Sequence, residues 1–198
     1  MSVRTLRWSG WLLLFGSFAF IAGSLPGLFG DTSQAVTIAL LVVMIAGALV
    51  ALVGLPAIYA KQAKQVGWLG LVSFLAALLA SVMLGIVANV YFLVTPAATS
   101  GSGSAQPSPL LLLGVLGGSV LELIGGVIFG ILTIRAHVFP AVTGWILILA
   151  GILSLAFFTP GLNDIGGTIA EMALFLAFGW MGYHLAFRSA PSAALSPV

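Results

Sequence analysis

All six Lys and Arg residues of this 198-residue chain lie in alternate gaps between long apolar stretches. They stand before the first stretch, between the second and third, between the fourth and fifth, and after the sixth: Arg4, Arg7, Lys61, Lys64, Arg135 and Arg188. Basic residues are retained on the cytoplasmic side of membrane proteins and set the orientation of the chain. The pattern therefore predicts a chain that crosses a membrane six times, with both termini in the cytoplasm.

The composition agrees with a membrane location. Hydrophobic residues make up 61% of the chain and charged residues 5%, and a soluble domain could not place such proportions on a surface exposed to water. Six spans of about 20 residues use most of the length, so we expect residues 1–198 to form a single membrane domain whose main partner is the lipid bilayer. Because the cations stand at helix ends, the net charge of +2 is explained by orientation and anionic lipid. We predict no nucleic-acid partner.

Each apolar stretch is long enough to cross the roughly 30 Å hydrocarbon core of a bilayer as a helix. The predicted fold class is therefore all-α, a bundle of six transmembrane helices. The predicted spans are residues 8–29, 35–60, 67–95, 109–134, 140–158 and 165–187. Residues 96–108, rich in Gly, Ser and Pro, are predicted to form a flexible loop on the extracytoplasmic side.

The odd-numbered spans begin alike, with a Gly-Trp pair at the predicted cytoplasmic boundary. The pairs are Gly10-Trp11, Gly67-Trp68 and Gly144-Trp145. Three similar helices, each followed by a returning partner, indicate three tandem helical hairpins. The alternative is that each Trp marks only the headgroup level, which its amphipathic ring favours.

Two spans carry stripes of polar or small residues at intervals of four, which place them on one helix face. The third span has Ser73, Ala77, Ser81, Gly85 and Asn89, and the fourth has Gly114, Gly118, Glu122, Gly126 and Gly130. Small side chains let helix backbones approach closely in lipid. We expect these two helices to cross tightly, against each other or another neighbour, and the glycine stripes to support a homo-oligomer.

Glu122 is the first candidate functional residue, because it lies about 18 Å from either end of its predicted helix, near the bilayer midplane. An ionised carboxylate there costs about 3 kcal/mol on insertion scales, so we expect it to be protonated or closely partnered. One interpretation is a proton or cation site in a transport path. The other is a neutral Glu that hydrogen-bonds across the helix crossing, with Ser81 or Ser73 as the donor.

A second acidic residue, Glu171, lies nearer the outer end of the sixth span. It follows Asp164 and Thr168 at helical spacing, and Asn89 is expected at similar depth in the third span. These side chains could line an outward-facing vestibule that ends near Glu122. The alternatives are that Glu171 reaches the interface and that Asp164 caps the N-terminus of its helix.

His137 and His184 are both predicted at the cytoplasmic leaflet, where two imidazoles at one depth could ligate haem or a metal. The alternative is that both meet water or headgroups. The sequence has no Cys and no motif for a phosphate loop, a dinucleotide site, a zinc protease or a serine hydrolase. We therefore expect no enzyme activity, no cofactor and no metal site.

Two cytoplasmic segments carry a resemblance to other proteins. GLPAIYAKQAKQVGWLG (Gly54–Gly70) and IRAHVFPAVTGWILILAG (Ile134–Gly151) resemble stretches of small, uncharacterised multi-spanning membrane proteins of bacteria. The resemblance implies a six-span helical protein of the bacterial plasma (inner) membrane. It implies no activity and assigns no functional residue.

The sequence leaves three functions open. The first is a membrane protein that binds or translocates a small solute or lipid, proton-coupled through Glu122 and Glu171, with Asn89 and Ser81 in the same site. The second is an accessory or scaffold subunit without transport, in which the stripes only pack. The third, a haem protein or membrane enzyme, has the least support because the residues that such sites need are nearly absent.

Overall fold

The computed structural model describes residues 2–29, 33–95, 109–159 and 163–188. Within these ranges the chain is all-helical and has no strand. Six helices are long and apolar enough to cross a membrane, which confirms the predicted fold class. The predicted loop at 96–108 lies outside the described residues, and the cytoplasmic placement of the termini stays a prediction.

The six spans follow the order of the apolar stretches in the sequence. Their bounds are Val3–Ser24, Gln34–Gly54, Pro56–Val94, Pro109–Ala136, Ala141–Phe158 and Asn163–Phe187. Short helical turns of other types also occur: a 3-10 turn at Leu25–Leu28 after the first span, a π-helical turn at Met83–Ala88 in the third, and a 3-10 turn at Ser154–Phe158 that ends the fifth. The π turn separates Pro56–Val82 from Asn89–Val94.

The third span is interrupted at Gly67, whose dihedral angles (φ 59°, ψ −154°) are not helical. The rings of Tyr59 and Phe74 stack at 5.7 Å, although fifteen residues of unbroken α-helix would separate them by about 22 Å. The chain must therefore fold back at Gly67. Leu55 keeps helical angles (φ −55°, ψ −40°), so residues 56–66 continue in the direction of the second span. Pro56 interrupts only the hydrogen-bond ladder there, because it lacks a backbone N–H.

Each span packs against its neighbours in sequence, and the sixth span closes the ring against the first. The weakest of these contacts is that between the second and third spans. All three predicted hairpins are pairs of spans in direct contact. The fourth and fifth spans, and the sixth and first, pack just as closely, so the tandem repeat stays a prediction.

The bundle places large apolar side chains on both its outside and its inside. Phe18 is 71% exposed, Val53 69% and Trp68 76%, a surface that is stable only in lipid. The interior holds Leu13, Phe129, Leu147 and Phe178, together with many Gly, Ala and Ser residues. Six apolar helices with such an outer surface are compatible with an integral membrane protein.

Glycines bring neighbouring spans into backbone contact. A Cβ added to Gly10 would lie 2.5 Å from the Ala186 nitrogen, and one added to Gly144 would lie 2.6 Å from the Gly130 oxygen. Two Gly-Trp pairs therefore begin with a glycine that a close crossing requires. In the third pair, a Cβ on Gly67 would find nothing within 4 Å, and its positive φ explains the glycine instead.

The glycines of the stripe in the fourth span do not all contact the same neighbouring span. A Cβ on Gly118 would approach Leu84 of the third span to 2.9 Å, whereas one on Gly126 would lie 2.9 Å from the Leu147 oxygen of the fifth span. The tightest approach to the third span is made by Gly125, outside the predicted stripe, 2.5 Å from the Ala77 nitrogen. The glycines expected to join copies of the chain thus largely contact its own spans.

Candidate functional site

Glu122 lies in the middle of the fourth span with no exposed surface. Neither of its carboxyl oxygens has a hydrogen-bond partner among the described residues. The donors expected from the sequence point elsewhere: Ser81 Oγ donates to the Ala77 oxygen at 2.9 Å, and Ser73 Oγ to the Leu69 oxygen at 2.9 Å. Each serine hydroxyl is thus used within its own helix, and the expected Ser–Glu hydrogen bond is not formed.

Glu171 lies at the same level of the bundle as Glu122. A Cβ on Gly166 would contact Ala156 of the fifth span. The six Lys and Arg residues stand at one set of span ends, here called the basic end of the bundle. Five residues further towards that end, these antiparallel helices reach Gly151 and Glu171. A Cβ on Gly151 would lie 3.1 Å from the backbone oxygen of Glu122. The two carboxyl groups are near enough to interact electrostatically. The fourth and sixth spans therefore bring together two acidic side chains that lie 49 positions apart in the sequence.

The two carboxyls differ in access. Glu171 is half-buried and Glu122 is fully buried. Counted along their own helices, Glu171 follows the first residue by eight positions and Glu122 by thirteen. Of the two residues, Glu171 is therefore the one that retains exposed surface. Asp164 is predicted to cap the N-terminus of this helix, but its side chain lies outside what the structure describes.

The Asn89 side chain hydrogen-bonds to the π turn of the third span. Its buried side-chain nitrogen donates to the Leu84 oxygen at 3.2 Å and to the Gly85 oxygen at 3.1 Å. A π turn leaves carbonyl groups poorly paired, and such turns are frequent at functional sites. Gly85, within the same turn, faces the Phe175 ring, which a Cβ would approach to 3.3 Å. Asn89 thus holds the turn that borders the aromatic side of the site.

Aromatic rings lie on the basic side of the two glutamates. Phe175, one helical turn beyond Glu171, stacks on Phe20 of the first span at 3.8 Å between centroids. Two turns towards the basic end lie Phe129 after Glu122 and Phe178 after Glu171, both in the same buried cluster. Phe129 in turn packs against Phe74 at 5.6 Å. These rings separate the carboxyls from the basic end of the bundle.

The sequence contains a signal for this arrangement that the stripe analysis missed. Both carboxyls are followed by phenylalanine at the same distance, in ELIGGVIF (residues 122–129) and EMALFLAF (residues 171–178). Seven residues are close to two helical turns, so each phenylalanine lies on the same face as its glutamate. Matching Glu and Phe positions in two spans would have indicated that both carboxyls face one interior.

Beyond the aromatic layer, a second polar contact lies at the basic end. Gln62 and Thr133 are fully buried, and Gln62 Nε2 donates to Thr133 Oγ1 at 3.3 Å. Gln62 Oε1 has no partner within the described part of the chain. This contact joins residues 56–66 to the fourth span, and sequence reasoning did not identify either residue.

The two histidines lie in different elements, His137 after the fourth span and His184 near the end of the sixth. His137 has a left-handed backbone (φ 52°) in the turn between the fourth and fifth spans and is exposed. His184 is partly buried and meets Tyr183 edge-on at 5.9 Å. Across the described ranges, no three His, Cys, Asp or Glu side chains are grouped to hold a metal ion.

No family model, curated protein or solved structure matches this chain. The resemblance to small bacterial membrane proteins therefore stays a prediction. The chemistry of the site has to be derived from the carboxyl pair itself. Two carboxyls in one apolar interior can share protons, hold a cation between them or bind a polar solute, and each of these would offset the cost of the unpartnered oxygens.

Proposed function

We propose that this protein binds and translocates a small solute or lipid across the membrane, coupled to protons through Glu122 and Glu171. The observation that carries the proposal is Glu122, fully buried at mid-span without a hydrogen-bond partner in the described ranges. A buried polar group without a partner costs about 1–3 kcal/mol. Intramembrane carboxyls kept at such a cost commonly mark proton relays and ion pathways.

The second carboxyl gives the pair a means of coupling. Two ionised carboxylates in one apolar interior repel each other, so protonation of one site depends on the state of the other. A solute that enters from the Glu171 side would change the surroundings of both. In the proposal Glu171 exchanges protons with the outer side, Glu122 holds the buried proton, and Ser81 and Asn89 shape the neighbouring wall.

An accessory or scaffold subunit is the alternative function. It is supported by the glycine contacts, such as Gly16 against Gly47 and Gly10 against Gly182, which make the bundle closely packed. In that case Glu122 is permanently neutral and only fills space. A haem protein or membrane enzyme has less support, and the proposal includes no catalytic reaction and no cofactor. We also propose the bacterial plasma membrane as the location, on the basis of the sequence resemblance.

Infrared titration of the protein in liposomes tests the proposal without a known solute. Wild type should show a protonated carboxyl band that changes with pH in the physiological range and is absent in Glu122→Gln. Glu171→Gln should alter the pH dependence of the remaining band, because the neighbouring charge is gone. A Glu122 band that is insensitive to pH would contradict proton coupling and favour the scaffold.

A flux assay in liposomes tests the transport part of the proposal. Wild-type liposomes with an internal pH dye are screened with small solutes under a pH gradient. A solute that accelerates proton entry should lose this effect with Glu122→Gln while folding stays intact. If flux of such a solute persists unchanged in Glu122→Gln, transport does not depend on this proton site.

A further inference from the structure

One face of the first span presents two arginines above three aromatic rings. Arg4, Arg7, Trp8, Trp11 and Phe15 fall within an arc of about 100° on a helix. Together with Val3 and Leu12, they line an open groove of about 850 Å³ along the first span. Trp8 is 63% and Phe15 62% exposed. Along the helix axis, Arg4 and Phe15 are about 16 Å apart, so the groove runs from a charged end into the apolar surface of the bundle.

Among the described residues, neither guanidinium group forms an ion pair with an acidic side chain. In the sequence, Asp31 and Asp164 stand near the gaps between apolar stretches that carry no Lys or Arg, and Glu122 and Glu171 lie within stretches. Arg4 and Arg7 are both exposed. Both cations are therefore accessible to an anion from outside the chain.

Local contacts hold this face in place. Ser2 Oγ accepts a hydrogen bond from the Thr5 backbone nitrogen at 3.1 Å, which caps the helix just before Arg4. Trp11 stacks on Phe15 at 5.3 Å and meets Phe187 of the sixth span edge-on at 4.8 Å. The positive end of the helix dipole lies at the same terminus and adds to the attraction for an anion.

From this geometry we infer that the face formed by Arg4, Arg7, Trp8, Trp11 and Phe15 binds an anionic phospholipid. The phosphate-bearing headgroup meets the two guanidinium groups, which donate hydrogen bonds to its oxygens in the planar arrangement that arginine favours. The indole rings lie at the headgroup level, as interfacial tryptophans do. The first part of an acyl chain lies against Phe15. The combination of charge and an adjoining apolar groove fits a lipid better than a free phosphate, which would leave the aromatic part uncovered.

Tryptophan quenching by brominated lipids tests the inference. In one variant Trp8 is kept and the other four of the five tryptophans are replaced by Phe, and in a matched control only Trp145 is kept. Trp145 is 62% exposed at the same end of the bundle but away from this face. In mixed vesicles, brominated phosphatidylglycerol should quench Trp8 more strongly than brominated phosphatidylcholine, and Trp145 should show no such preference.

Charge variants decide whether the arginines cause the preference. Arg4→Gln and Arg7→Gln should each lower the phosphatidylglycerol preference of Trp8 about fivefold, because one cation near a membrane surface contributes that factor. The Lys variants at both positions should keep most of it, and Arg188→Gln should leave it unchanged. Equal quenching of Trp8 by both lipids, or a preference that survives loss of both arginines, would overturn the inference. Displacement of the lipid by millimolar inorganic phosphate would show a free-anion site instead and would also overturn it.

Discussion

Glu122 of the fourth span and Glu171 of the sixth lie at one level inside the bundle. Depths estimated from the span ends had placed Glu171 nearer the outer surface than Glu122. The difference arises because Gly166 and Gly167 pack against Ala156 and Phe157, which sets the register of the fifth and sixth spans. Two acidic side chains that lie 49 positions apart in the sequence are therefore brought to one depth in the bundle.

Replacing Glu122 with an apolar residue of similar length should stabilise the protein and abolish its proton-coupled activity. Glu122→Met removes two buried oxygens that lack partners in the described structure, and such groups cost about 1–3 kcal/mol. Thermal unfolding in detergent should show the gain. Glu122→Gln is the control, because it keeps a buried polar group and should gain less. A marked loss of stability in Glu122→Met would show that Glu122 holds a partner that the fold requires.

The glycine stripe allows a matched comparison within one helix. Gly126→Leu should destabilise the protein by several kcal/mol, as overpacking does, because its Cβ would lie 2.9 Å from the backbone oxygen of Leu147. Gly118→Leu should cost less, since the nearest atoms belong to the Leu84 side chain. Gly114→Leu is the control, because nothing lies within 4 Å of its Cβ position. Equal stability of all three variants in detergent would contradict the packing seen between the fourth and fifth spans.

The fold class was predictable because charge position and span length act independently of packing detail. Cations at Lys61, Lys64 and Arg135 delimit the spans, and any chain with six such stretches must satisfy its backbone as helices in lipid. Glu122 was predictable as a candidate for the same reason, since its depth follows from its position in one helix.

The neighbouring span that each stripe residue contacts was not predictable from the four-residue spacing of the stripe. Each step of four residues rotates about 40° around an α-helix, so the face turns by about 160° from Gly114 to Gly130. This drift explains why Gly118 contacts the third span and Gly126 the fifth. It also explains why Gly125, outside the stripe, makes the closest backbone contact with Ala77.

The turn at Gly67 should tolerate no other residue without strain. A side chain there has space, because nothing lies within 4 Å of its Cβ position, but φ is 59° with ψ −154°. A non-glycine residue in so rarely populated a region costs on the order of 1–3 kcal/mol. Gly67→Ala should therefore lower thermal stability in detergent, whereas Gly117→Ala, equally open but helical, should raise it slightly or leave it unchanged. An unaltered Gly67→Ala variant would mean that the chain does not fold back with this geometry.

The membrane topology can be tested with single cysteines, because the natural chain contains none. Gln65 and Ser33 are both exposed, one at the basic end and the other at the start of the second span. If the basic end is cytoplasmic, as the positive-inside rule requires, Ser33→Cys should react with a membrane-impermeant maleimide added outside intact cells. Gln65→Cys should react only after the membrane is permeabilised.

Gln62 provides the control for this experiment. It lies one turn from Gln65 but is fully buried against Thr133, so Gln62→Cys should label poorly from either side even in permeabilised cells. Labelling of Ser33→Cys and Gln65→Cys from the same side would overturn the alternating arrangement of spans. Rapid labelling of Gln62→Cys would instead show that water reaches the interior at the basic end, below the layer formed by Phe129 and Phe178. Because the carboxyl pair lies beyond that layer, slow labelling at position 62 is what a site approached from the Glu171 side requires.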